Sequence, residues 1–396
     1  MANDSQGMQK ITITCVGDCT LGKNQRMEAE GSWGDLFDKN GAGYFMQNVA
    51  PYFKASNVAI ANLEGVLAVK PSKLEIFYRQ RINEIQPRKY RHLGKPRYLK
   101  ALSGAGIDVV TFANNHNIDY GLDGFVQTVD ACRKYKTPVA YYDHVVRYPV
   151  GNRTVGVFAM DGTFVSVDVI EGYVRRAMAD LRRDCDIIVA CMHWGENYKL
   201  EASKEQVRLG HLCIDLGASV VFGSHAHVLQ GVERYKGRYI FYSLGNFCYG
   251  GRETPKDPDT MIAQQTFTFA DGELLIDDDV RVIPCWNSRS AEVNDFCPIV
   301  KDGEEGQGII DKLNGCSEPF GLKFDDDGRP MVEPATDTAI PACDDVFGGG
   351  PTDKVPEIIK TLLDVEGHKD TAKSWWNRPA NQGKKLPPAA QALWGE

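Results

Sequence analysis

The amino-acid sequence predicts an α/β fold, and two observations carry that expectation. Short β-rich apolar runs recur between helical stretches from about residue 11 to residue 244, and most of those runs are almost continuously apolar. Alternation of strand with helix is the pattern of α/β architecture, and unbroken apolar strands belong to sheets covered on both faces.

Strands are predicted over 11–17 (ITITCVG), 57–63 (NVAIANL), 107–114 (IDVVTFAN), 137–142 and 153–160. Three more follow over 185–192 (CDIIVACM), 218–224 (ASVVFGS) and 237–244 (GRYIFYSL). Between them the spacing predicts helices over 44–55, 97–105, 122–135, 170–183 and 204–216, the last stopping at Gly217. From 264 to 284 the pattern changes to alternating segments (QQTFTF, ADGELLI, DDDVRVI), which read as antiparallel edge strands. After Pro284 periodicity fades into Gly-, Pro- and Asp-rich stretches with one helix near 355–365. The expected organisation is a domain over 8–284 followed by an extension, 285–396, that wraps the core or forms a small cap.

Composition bounds the function. With 396 residues, 43% hydrophobic, the chain has material for a large core, and a net charge of −8 argues against a general nucleic-acid binder. The first ten residues are polar and lack the apolar stretch of a signal peptide. No apolar run reaches the roughly 18 residues of a membrane span. Eleven cysteines, several of them in predicted buried strands, read as reduced core thiols, so a cytoplasmic protein is expected.

Chemistry concentrates at the strand ends, where the loops of α/β sheets carry function. Asp18 follows the first strand, Glu64 the second, Asn115 and His116 the third, His193 the 185–192 strand, and His225 and His227 the 218–224 strand. Each alone has a plainer reading: Asp18 and Asn115 as turn formers, His193 as a satisfied core histidine. The His225-x-His227 pair is costlier to bury without partners. Convergence of imidazoles, carboxylates and an amide at neighbouring strand exits favours a metal site. A mixed nitrogen and oxygen set suits manganese, zinc or iron better than calcium or magnesium, and a bridging carboxylate allows two ions. Two such ions promote phosphate ester hydrolysis by activated water.

Residues 78–100 hold Arg79, Arg81, Arg88, Lys89, Arg91, Lys95, Arg97 and Lys100 against Glu84 alone. Arg88, Lys89 and Arg91 are expected to attract an anionic substrate, the alternative being a solvated loop. Trp194 and Tyr198 are a substrate wall or core aromatics. Neither DDDVR nor FDDDG continues as a calcium loop, and no phosphate-cradling GxxxxGK is present.

Six stretches occur in one order: VGDCTLG (16–22), ANLEG (61–65), ANNHNIDYG (113–121), MHWGENY (192–198), GSHAHVLQ (223–230) and YSLGNF (242–247). They resemble the CapA/PgsA family of poly-γ-glutamate capsule biosynthesis, relatives of the calcineurin-like metallophosphatases. The resemblance implies a four-layer αββα sandwich of two mixed sheets. It places one metal on Asp18, Glu64 and His227 and another on Glu64, Asn115, His193 and His225. Asp18 and His116 become catalytic, His116 as general acid, with Asp119 orienting it or capping the loop. Asn246 becomes a substrate contact.

Two departures from the metallophosphatase pattern matter: Thr20 stands where those enzymes carry a His, and Glu64 where they carry Asp. One metal is therefore expected to be firmly bound and a second more weakly. Glu196 comes one position earlier than the family's usual Glu. The implied activity is metal-dependent hydrolysis of a phosphoester or related bond in an anionic small molecule, a polyglutamate or a peptide. A metal-assisted acid/base peptide epimerase and a non-catalytic polymer-binding component are the alternatives.

Overall fold

Residues 8–23, 29–69, 82, 90–270, 273–275, 279–333 and 356–363 are described by a computed structural model of the chain. The strands run in order β1 (Gln9–Thr20), β2 (Val58–Leu63), β3 (Val66–Leu67), β4 (Leu93–Gly94), β5 (Val109–Thr111) and β6 (Val139–Ala140). β7 (Val146–Val150), β8 (Arg153–Asp161), β9 (Ile187–His193), β10 (Val220–Ser224), β11 (Val232–Tyr235) and β12 (Arg238–Phe241) follow. β13 (Asn246–Tyr249), β14 (Asp259–Ala270), β15 (Glu273–Leu275), β16 (Val280–Trp286) and β17 (Ile299–Val300) complete the described strands. The α-helices are α1 (Trp33–Asn40), α2 (Ala50–Lys54), α3 (Lys100–Ser103) and α4 (Gly121–Lys134). They continue with α5 (Val167–Leu181), α6 (Lys204–Asp215), α7 (Gly303–Ser317) and α8 (Glu357–Leu362).

Two mixed sheets form the centre. One has the order β17-β16-β14-β1-β2-β5-β6, with β13 also on β1 and β15 on β14; the other has the order β11-β12-β10-β9-β8-β7. β14 pairs antiparallel with β1 from Gln9 to Val16, and from Asp18 onward β13 runs parallel beside β1. β2, β9 and β10 are buried at every position, the outcome their apolar sequences predict. The sheets meet face to face: Cys15, Asn62 and Thr111 of one and Cys191, Met192 and Phe222 of the other line the same internal space. On the outside, α2 packs on β2, while α5 and α6 pack on β8, on β10 and on each other. This is the four-layer sandwich.

Local chemistry explains where the elements depart from expectation. The helix expected over 44–55 is a 3-10 turn at Ala42–Tyr44 and the short α2, because Pro51 lacks an N–H and tolerates only a first-turn position. The 97–105 stretch divides likewise into a 3-10 segment, Pro96–Leu99, and α3. α6 begins with a capping box in which the Ser203 side chain and the Gln206 side chain satisfy each other's backbone N–H. α7 went unread in the sequence, since Gly306, Gly308 and Gly315 each lower helix propensity by roughly 1 kcal/mol. Tertiary packing supplies what propensity lacks. Ile309, Ile310 and Leu313 are buried, and the helix rests on β16 and β11. β16 itself crosses residue 284 and carries β17, so the sheet runs on past the boundary expected there.

No helix among the described residues is long and apolar enough to cross a membrane. Ten described cysteines are free.

Candidate metal centre

The parallel strands β1, β2 and β5 of one sheet and β9 and β10 of the other end at the same place. Close backbone approach fixes the geometry. A Cβ on Gly17 would lie 1.9 Å from the Gly245 carbonyl, so only glycine lets β1 touch the loop before β13. There the Asp18 N–H donates to the Gly245 carbonyl at 3.0 Å. A Cβ on Gly223 would lie 2.0 Å from the Tyr242 carbonyl, which makes the same demand on β10.

From these strand ends two groups of side chains converge: Glu64, His193 and His225, and Asp18, Glu64 and His227, each with its ligand-type atoms within 4.8 Å of one another. His193 Nε2 lies 2.8 Å from Asn115 Oδ1, 3.1 Å from His225 Nδ1 and 3.8 Å from Glu64 Oε1. His227 lies 3.3 Å by Nδ1 from Asp18 Oδ2 and 3.9 Å by Nε2 from Glu64 Oε1. His116 Nε2 is 3.8 Å from the same Glu64 oxygen. Glu64 is thus common to both groups.

The residues fit divalent metal ions, and one atom makes the case. Glu64 Oε1 is buried and has no hydrogen-bond partner among the described residues, while three imidazole Nε2 atoms stand 3.8–3.9 Å away. A lone buried carboxylate oxygen is costly. Nitrogen and oxygen ligands sit about 2.0–2.2 Å from a borderline ion, so ligand atoms about 3–4 Å apart are spaced to share one. Protonation agrees. Burial holds His193 well below the ordinary imidazole range and His225 down to about 3, leaving both neutral with a lone pair to offer, and it lowers His116 likewise to about 3. Burial, followed by repulsion from Asp18 and Asp119, pushes the Glu64 carboxyl up. A cation relieves that cost.

Behind these groups lies a layer of amides and hydroxyls. Asn62 donates to Asp18 Oδ1 at 2.7 Å and contacts His193 Nδ1 at 3.2 Å, while Ser224 Oγ is 2.9 Å from the same nitrogen. Thr111 and Asn114 donate to Asn62 Oδ1. Asn62, Asn114 and Ser224 were not singled out in the sequence, although a polar Asn inside the apolar run NVAIANL was a readable sign of a buried partner. Thr20 donates its hydroxyl to Glu64 Oε2 at 3.4 Å. Cys19 belongs to neither group, and burial pushes its thiol up to about 12.

His116 Nδ1 lies 2.8 Å from Asp119 Oδ2, which also accepts the His92 N–H at 2.6 Å. Burial raises the Asp119 carboxyl and lowers His116, so both shifts oppose charge separation across this bond. The Nε2 of the same ring faces Glu64. The His92 ring is 4.1 Å from that of His116. The sequence offers no sign of His92 in the site, because the basic residues around it dominate its segment.

Strain gathers here as well. His225, His227 and Tyr198 have φ of 91°, 58° and 64°, the left-handed region that side chains other than glycine seldom occupy.

Three expected substrate contacts are engaged by other groups of the protein. Trp194 is buried, and its indole N–H donates to the Tyr242 carbonyl at 2.8 Å, so it is a core aromatic. Asn246 is buried with its Oδ1 2.8 Å from His227 Nδ1, so it orients a histidine of the centre. Arg91 is buried with its guanidinium over the Tyr120 ring at 6.0 Å, where its charge acts on Asp119. Arg88 and Lys89 lie outside the described residues. Glu196 is exposed. Tyr198 is half-buried, its ring 5.8 Å from that of His227.

A family model described as "Bacterial capsule synthesis protein PGA_cap" matches residues 12–141 and 152–250. The chain is 28% identical over 264 residues to the capsule biosynthesis protein CapA of Bacillus anthracis, covering 61% of this chain and 60% of that protein. It is 26% identical over 258 residues to the PGA biosynthesis protein CapA of Bacillus subtilis strain 168, covering 60% of this chain and 63% of that one. The matches therefore span less than two thirds of those relatives. Among solved structures, a novel phosphatase from Mycoplasma pneumoniae aligns over 73% of this chain and 96% of its own, at 15% identity and a TM-score of 0.40.

Proposed function

Because this chain belongs to the bacterial capsule synthesis protein PGA_cap family, we propose that it is a metal-dependent hydrolase acting on an anionic, polyglutamate-related substrate. The bond cleaved is a phosphoester or a related bond, and the attacking group is water. The observation that carries this reading is Glu64 Oε1, a buried carboxylate oxygen without a hydrogen bond, ringed by imidazole nitrogens.

Asp18, Glu64 and His227 would hold one ion, and Glu64, Asn115, His193 and His225 the other. Manganese, zinc or iron suits this donor set. The chemistry such ions supply when bound is Lewis acidity and activation of water at neutral pH. The chain's own groups do the rest. Ser224 Oγ as acceptor at the His193 Nδ1, and Asn246 Oδ1 as acceptor at the His227 Nδ1, would keep the Nε2 lone pairs aimed inward. His116 carries a proton on Nε2 beside the reacting centre and delivers it to the leaving oxygen as general acid, with Asp119 holding the ring and returning the proton. Burial of these groups excludes bulk water and strengthens every interaction among them. A cytoplasmic setting belongs to the same proposal, supported by the free thiols, which persist where the compartment is reducing.

The test is metal analysis of the purified protein together with assays of phosphoester cleavage and of γ-glutamyl oligomer cleavage. Bound metal with turnover of either substrate is expected. Bound metal with tight oligomer binding and no cleavage would turn the reading to a non-catalytic binding component.

A further inference from the structure

Outside the metal centre, two cations stand over one tyrosine. Tyr198 is held in place: its N–H donates to the Ala226 carbonyl, between the two histidines of the 225–227 loop, at 2.7 Å. Gln230 holds the following residues by donating to the Lys199 and Glu201 carbonyls. One side of the Tyr198 ring is turned toward His227. Lys256 Nζ lies 3.3 Å from the ring centroid and the Arg252 guanidinium 5.7 Å from it. Both cations come from the loop that follows β13, whose Tyr249 ring is 5.2 Å from that of His227.

Arg252 and Lys256 are exposed, and neither is paired with a carboxylate among the described residues. Some described Lys and Arg charges of the second sheet and its helices are paired, Arg147 with Asp180 and Asp184, Arg208 with Asp168 and Glu171, and Lys236 with Asp215, and others are not. In a chain of net charge −8, these two cations gather on the tyrosine that adjoins His227 of the candidate centre. An exposed cation–π contact biases where a side chain stands without consuming its charge. The ring therefore presents two positive groups beside the centre.

We propose that Arg252, Lys256 and Tyr198 form a subsite for a second anionic group of the substrate, so that the preferred substrate is a polyanion and not a simple monoester. This rests on the metal centre receiving the first, reacting group. Oligocarboxylates and oligophosphates share the required chemistry. Arg252 and Lys256 act by binding and field, not by ligation, so their removal leaves the metals in place.

The experiment uses the full chain loaded with manganese and measures equilibrium binding of pentaglutamate and of inorganic tripolyphosphate, with inorganic phosphate as the single-anion reference. Arg252→Gln/Lys256→Gln is compared with wild type and with the distant charge-matched control Lys236→Gln/Arg329→Gln. The expected result is a loss of about tenfold for at least one polyanion, a shallower salt dependence, unchanged metal content, and a clearly smaller loss for phosphate. The arm that responds names the source of the second anion. An Arg252→Lys/Lys256→Arg exchange should restore most of the affinity. The proposal is overturned if neither polyanion binds wild type, if both losses stay within twofold, or if the control or the phosphate arm falls equally. Absence of any bond cleavage would count against the hydrolase reading alone, because these readouts are binding constants.

Discussion

Glu64 is the residue on which the centre turns, since it alone belongs to both groups of ligand-type side chains. Glu64→Gln should therefore abolish binding of both ions. The loss should exceed the roughly 10–100-fold that removal of an orienting partner costs. His225→Ala should remove the ion shared with His193 and leave the other measurable; metal stoichiometry by mass spectrometry separates the outcomes, and equal losses in both variants would contradict two sites. Acidity gives a second check. A carboxyl whose pKa is raised holds its proton to higher pH, and a metal must displace that proton. Apparent affinity should thus fall as pH drops through the raised range of Glu64. His225 and His116, held near 3, are neutral throughout that window and contribute little to it. An affinity that does not change with pH above the ordinary carboxylate range would count against Glu64 as a ligand. Weaker binding of the ion beside Asp18 and His227 is expected on the same ground, since Thr20 donates to Glu64 and adds no nitrogen there.

At the level of elements, the centre depends on strands that approach more closely than side chains allow. Gly17 in β1 is the sharpest case, with a backbone carbonyl where a methyl group would stand. Gly17→Ala should push β1 away from the Gly245 loop, lower the melting temperature and release metal together with it, since the displaced residue adjoins Asp18. Thermal melts with and without added manganese read both effects, and a variant that melts and binds metal as wild type does would refute the packing argument. Strands were legible in the sequence because long apolar runs leave few other solutions: β2 and β10 fall inside the predicted ranges, and β9 passes its range by one residue, His193. α7 was not, because its glycines obscure helix propensity and its buried stripe has meaning only against β16 and β11.

In the whole molecule, the ligand-type side chains are divided between the sheets: Asp18, Glu64 and Asn115 come from the ends of β1, β2 and β5, and His193, His225 and His227 from β9 and β10. A metal ion bound among them ties one sheet to the other and stabilises the docked state by mass action. At a hundred times its dissociation constant an ion should add about 2.7 kcal/mol. Chelation should lower the unfolding temperature, and restored manganese or zinc should raise it; a melting curve indifferent to chelator would mean that the ions do not bridge the sheets. The sequence by itself determined which segments are strands and which polar residues stand at their exits, because apolar periodicity and a costly buried charge are properties of a few neighbouring residues. Tertiary structure alone decided what those residues face. Trp194 turned into the core, Asn246 onto His227 and Arg91 onto Tyr120, and Asn62 came to hold Asp18 and His193. A hydrophobic pattern specifies that a side is buried, whereas the partner it is buried against, distant in the chain, exists only once the two sheets have docked.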